Sequence, residues 1–283
     1  MGKPQSARGQ RGQNKPQSLL TVDEMNASRY LLKRADAKPI EPKTDAQHRY
    51  MMSIGANIIT IGDGPSGTGK TFVAAAMAAD AFRDGHIERI YVTRPNVEVG
   101  NGWGFLPGEL AEKSAPWFAP VLEVLEKRLG SGPVEYAMKT GKIDFKPLAF
   151  MRGWTFANAF VILDEAQNTT PAEMEMFLMR TGEDARVVID GDFKRQKDIK
   201  GRSGLEDALS ILNGLKSVGR VSFDIDDIVR SGMALQIARR YAERDERSQV
   251  DVTSDSAYAN DNTHNAQGFN DHQPHFFDGY QAS

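Results

Sequence analysis

Two short runs, far apart in the chain, carry residue types that can do chemistry at the spacing chemistry needs. The first is Gly64-Pro65-Ser66-Gly67-Thr68-Gly69-Lys70-Thr71. Glycines at these intervals let backbone amides curl around an anion, and the helix expected to follow turns its N-terminal dipole toward the same anion. Lys70 supplies charge for β- and γ-phosphates, and the Thr71 hydroxyl is a hard oxygen ligand suited to magnesium. The second run is Phe160-Val161-Ile162-Leu163-Asp164-Glu165, an apolar strand ending in two acids. Asp164 is assigned to the metal and Glu165 to the attacking water. Together the runs predict ATP and Mg2+ as cofactors and hydrolysis as the reaction. A kinase for a small acceptor has no need of a water-activating Glu165.

The elements that must position these groups are legible around them. Apolar runs at Asn57–Ile61, Ile90–Thr93, Phe160–Leu163 and Val187–Ile189 each end in polar or glycine residues, and Val221–Phe223 supplies a fifth strand. Helical patterns fit between them, over Thr71–Phe82, Pro171–Arg180 and Asp226–Glu243, with Met174, Phe177 and Leu178 on one face of the second. The fold class predicted is α/β, a P-loop domain with a mostly parallel sheet and helices on both faces. Residues 100–153 read as an insertion on that sheet, with a helical stretch around Trp117–Leu129 and a break at Gly130-Ser131-Gly132-Pro133.

Composition bounds the rest. The 283 residues are 40% hydrophobic and 26% charged, with no cysteine, which excludes disulfides and thiolate metal sites. No apolar run approaches a membrane span of roughly 18 residues, and the start of the chain lacks a signal-peptide pattern, so a cytoplasmic protein without a membrane partner is expected. Lys3, Arg8, Arg11 and Lys15 precede any acidic residue, whereas from Gln249 onward there are five aspartates and no lysine or arginine. The expected organisation is a basic, largely disordered segment over 1–37, an ATPase domain over 38–247 and an acidic, disordered tail over 248–283. His264, His272 and His275 in that tail fit no compact ligand spacing.

Further motifs carry a family resemblance. Thr93-Arg94-Pro95-Asn96-Val97-Glu98-Val99-Gly100, Gly104-Phe105-Leu106-Pro107-Gly108, Asp164-Glu165-Ala166-Gln167-Asn168 and Val229-Arg230 resemble motifs of the PhoH-like ATPases, relatives of the helicase type of P-loop protein. The resemblance covers most of Lys38–Glu243. It implies a RecA-like fold and an ATP-dependent enzyme often associated with RNA. It also implies that Gln47 reads the adenine edge, that Arg94 lies by phosphate or nucleic acid, and that Arg230 is an arginine finger. Arg94 and Arg230 read equally well as salt-bridged scaffold residues.

Two departures stand out. Gly191-Asp192-Phe193-Lys194-Arg195-Gln196-Lys197-Asp198 carries one residue more before its glutamine than the family pattern, so either Gln196 or Arg195 senses the γ-phosphate. Beside Arg152, a candidate for phosphate or nucleic acid, Trp154 stands where the family usually has a second arginine, and could stack a base or pack in the core. Only one ATPase-like domain fits in the chain. The expectation is therefore a homo-oligomeric ring in which Arg230 reaches a neighbour's nucleotide, driving work on single-stranded RNA, or secondarily DNA. The alternative is an ATP-dependent switch acting on a protein partner. The short chain and its unusual tails suit a phage-encoded member.

Overall fold

The computed structural model describes residues 38–95, 110–192 and 198–244. The basic segment over 1–37 and the acidic tail over 248–283 lie outside the described residues, as do Asn96–Gly100 and Gly104–Gly108.

Six strands form one sheet: β1 (Ile59–Asp63), β2 (Arg89–Arg94), β3 (Ile143–Pro147), β4 (Ala159–Leu163), β5 (Arg186–Gly191) and β6 (Val218–Ser222). Their order is β3-β2-β4-β5-β1-β6, and each neighbouring pair is parallel. Helices are α1 (Asp45–Ala56), α2 (Lys70–Arg83), α3 (Leu110–Leu129), α4 (Ser131–Lys139), α5 (Pro171–Leu178) and α6 (Gly204–Ile211). Parallel strands covered on both faces must be apolar on both, and every residue of β4 is buried.

The two-residue strand period sorts the core into two layers. Ile90, Val92, Phe160, Ile162 and Val188 face the layer built by α1 to α4, while Tyr91, Val161, Leu163, Val187 and Ile189 face the layer containing Met174 and Phe177 of α5 and Leu205 and Ala208 of α6. Five alanines of α2, at 74, 75, 76, 78 and 79, have no exposed surface, so small side chains bring this helix close under the sheet.

The structure adds one strand to the five expected. The stretch read as an insertion folds as α3, α4 and the edge strand β3, which extends the sheet next to β2. Helix α3 begins seven residues before Trp117 and runs through Pro116 and Pro120. Buried Phe118, Val121, Leu125 and Leu129 supply the packing that outweighs those prolines.

The chain divides into two compact units after Ile228. In the second unit the described helix is α7, over 232–244, where Ser231 Oγ accepts from the Ala234 amide at 3.3 Å. The continuous helix expected from Asp226 is thus interrupted. Asp224 and Asp227 close a capping box around a short 3-10 turn, and Ile228 is extended before the chain re-enters helix. Among the described residues no helix is long and apolar enough to cross a membrane.

Candidate active site

The loop between β1 and α2 is shaped by backbone conformations open to glycine. Gly64, Gly67 and Gly69 have φ of 148°, 89° and 85°. At Gly64 a Cβ would run into the Phe223 carbonyl, and its amide donates to Gly191 O of β5 at 3.0 Å. Lys70 is buried, and its ammonium reaches back along the loop to Gly64 O at 2.7 Å, Pro65 O at 2.9 Å and Thr68 Oγ1 at 3.2 Å. Gln47 is also buried against this loop. Its Nε2 donates to Thr68 O at 2.8 Å and its Oε1 accepts from the Lys43 amide at 2.8 Å.

The folding of the sheet brings Thr71 of the loop to the acidic end of β4. Thr71 Oγ1 donates to Asp164 Oδ1 at 3.1 Å across 93 residues of sequence. Asp164 is buried, and its other oxygen, Oδ2, accepts from Arg94 Nε at 3.1 Å and Nη2 at 2.5 Å. Arg94 therefore forms the scaffold-type ion pair, on the very carboxylate assigned to the metal. A hydroxyl and a carboxylate so close together are the hard oxygen donors magnesium takes, and the positive φ of Gly67 and Gly69 lets the loop backbone curl around a phosphate, so the residues present fit a magnesium nucleotide.

Glu165 is exposed at the end of β4, with φ of 56°, a left-handed conformation rare for a side chain of its size. That turn reverses the chain, so Ala166, Gln167 and Asn168 drop back into the interior. Gln167 Nε2 donates to Glu165 Oε2 at 2.6 Å, and Gln167 Oε1 accepts from the Asp192 amide at 3.1 Å. Asn168 grips further along, with Nδ2 on Asp198 Oδ2 at 3.2 Å and Oδ1 accepting from the Asp198 amide at 2.8 Å. These partners were not found from sequence. The signal present was Gln167-Asn168, one residue beyond the paired acids.

A second buried carboxyl, Asp190 at the end of β5, also went unread. Its Oδ1 accepts from the Tyr50 hydroxyl of α1, and its Oδ2 has no partner among the described residues. Burial pushes the Asp190 carboxyl up to about 7, and repulsion from Asp164 adds to the rise. The Tyr50 hydroxyl is raised well above its ordinary value, chiefly by its own burial and then by Asp190.

Gln196 and Arg195 lie outside the described residues, between Asp192 and Asp198. Arg152 is exposed after the short turn that follows β3, with no hydrogen bond or ion pair among the described residues. Trp154 packs edge-on against Tyr91 and lies under the Lys146 ammonium, 4.1 Å from the ring centroid, so its faces serve the sheet edge. Arg230 is exposed and belongs to the second unit.

One strand, β5, separates the strand that ends in the phosphate loop from the strand that ends in the acids, and both deliver their groups at the same end of a parallel sheet. That topology and the Thr71–Asp164 meeting define a RecA-like P-loop NTPase. A sequence profile described as PhoH-like protein matches residues 39–242, so the chain belongs to the PhoH-like family.

Relatives agree. The PhoH-like protein of Bacillus subtilis is 42% identical over 212 residues, 75% of this chain and 66% of that protein. Protein PhoH of Escherichia coli K12 is 40% identical over 236 residues, 82% of this chain and 67% of that protein. The match thus spans about two thirds of each relative's length. Among solved structures, the UvsW helicase of bacteriophage T4 superposes with a TM-score of 0.42 at 11% identity, over 71% of this chain and 67% of that one. The Pif1 helicase of Candida albicans gives 0.34 at 15% identity, over 66% and 41%.

Proposed function

We propose that this PhoH-like protein binds magnesium ATP at the loop Gly64–Thr71 and hydrolyses it, using the energy to move along or remodel single-stranded nucleic acid, RNA before DNA. The observation that carries the reading is the 3.1 Å contact between Thr71 and Asp164, with Glu165 exposed one residue further on. Loop amides and Lys70 bind the phosphates, and exchange of the ammonium from Gly64 O and Pro65 O to phosphate oxygens keeps its charge compensated. Magnesium, when bound, would neutralise charge on the phosphates, with Thr71 and Asp164 as its protein ligands. Glu165 orients a water and accepts its proton. Gln47 still has one Nε2 hydrogen and an Oε1 lone pair beyond its two bonds, enough to meet the edge of an adenine.

Nucleic acid is assigned to the exposed Arg152, with help from the basic segment over 1–37. Arg230 is assigned to the nucleotide of a neighbouring subunit in a ring, and Gln196 to sensing the γ-phosphate. The test is steady-state ATP turnover with and without single-stranded RNA or DNA, at low and moderate salt. Stimulation of at least about 5-fold that weakens with salt is expected of a nucleic-acid motor. Turnover indifferent to both polymers would replace this reading with a nucleotide-controlled switch acting on a protein partner. Full activity in a strictly monomeric enzyme would remove the assignment of Arg230.

A further inference from the structure

Gln167 is 1% exposed, yet its side chain touches the exposed base assigned to hydrolysis. A primary amide has one accepting oxygen and one donating nitrogen, and they are not interchangeable. The Asp192 amide is a donor, so only Oε1 can meet it, which commits Nε2 to the Glu165 carboxylate. The Asp192 amide thus determines which end of Gln167 faces Glu165.

The rest of Gln167 is equally constrained. Its carbonyl accepts from Ser203 Oγ at 2.7 Å, and a Cβ on Gly191 would sit 2.7 Å from its Oε1. The absence of a side chain at Gly191 therefore leaves room for the amide. Glu165, by contrast, is a three-torsion side chain at an exposed turn, and a free carboxylate there would sample many orientations. A hydrogen bond to an ionised acceptor is among the stronger ones available to hold it, and it uses Oε2 while leaving Oε1 for a water proton.

We propose that Gln167 is a positioning residue for hydrolysis, which aims the Glu165 carboxylate and takes its own orientation from the backbone at the end of β5. The inference rests on the hydrolytic reading above. It goes further in making the base's aim depend on where Asp192 stands, so a shift of the end of β5 and a loss of base alignment are one event. Asn168 reinforces the link through its two bonds to Asp198.

The experiment is a double-mutant cycle on the full chain, measuring single-turnover ATP hydrolysis and, separately, ATP affinity. The proteins are the wild type, Gln167→Ala, Glu165→Gln and the double variant, with Gln167→Met as an isosteric control that keeps volume and loses both hydrogen bonds. Gln167→Ala and Gln167→Met are both expected to slow hydrolysis about 10²-fold while ATP affinity stays within about 3-fold. In the Glu165→Gln background, removing Gln167 is expected to change the residual rate less than about 2-fold, because the carboxylate it aims is gone.

A full additional loss in that background would overturn the proposal, as would a rate in Gln167→Met equal to wild type. Parallel collapse of ATP affinity and melting temperature in both Gln167 variants would show a packing role and overturn it too. A wild type that binds ATP without hydrolysing it would instead bring down the hydrolytic reading, and this inference with it.

Discussion

The two halves of the site are held by different means. The phosphate loop is fixed by its own backbone: three glycines with positive φ, one amide tied to β5, and a lysine bonded to the loop's carbonyls. The acidic turn is fixed by side chains, its own and those of other elements. Arg94 and Thr71 hold Asp164, Gln167 holds Glu165, and Asn168 is tied to Asp198. A site of this kind has a rigid receptor for the nucleotide beside a polar network whose geometry can respond to neighbouring strands. Binding should therefore fail through backbone lesions in the loop, and catalysis through side-chain lesions in the turn.

The loop half is broken most severely at Gly64. Gly64→Ala forces a side chain into φ of 148° and against the Phe223 carbonyl. The expected result is a loss of stability of about 2–4 kcal/mol, read from denaturant melts, and loss of measurable ATP binding. Near wild-type affinity in this variant would show that the loop is not held as described.

A pH-dependent effect should come from Asp190, whose strand β5 lies between the strands that carry the two halves. Its folded pKa of about 7 is above the ordinary 3.8, so the folded state holds this proton more tightly than the unfolded chain. The associated stability is fully present below pH 3.8 and is lost as pH rises through about 7. Stability of the wild type relative to Asp190→Asn should therefore fall by a few kcal/mol between about pH 4 and 7, then level off. Parallel stability profiles for the two proteins would mean that Asp190 is not buried as a protonated carboxyl.

The same division explains what could be read in advance. Glycine spacing in Gly64–Thr71 encodes a local backbone shape, so the loop and its helix were legible from residues close in sequence. So was β4, because four apolar residues followed by two acids describe a buried strand that ends at a site. The edge strand β3 was not. Ile143-Asp144-Phe145-Lys146-Pro147 alternates apolar and polar residues over only four positions before a proline, too short a run to stand out as a strand until a neighbour is supplied. Contacts of Arg94 with Asp164, 70 residues away, and of Tyr50 with Asp190, 140 residues away, depend on strand order, which periodicity does not report. The turn at Ile228 was hidden by a helical pattern on either side of it.

The most direct test of the central claim compares ATP binding and single-turnover hydrolysis in the wild type, Lys70→Ala and Glu165→Gln. Lys70→Ala is expected to lose affinity by about 10²-fold or more, while Glu165→Gln binds ATP like the wild type and hydrolyses it about 10³-fold more slowly. Hydrolysis by Glu165→Gln at the wild-type rate would mean that the exposed carboxylate at the end of β4 has no part in the reaction, and the assignment of Glu165 would fall.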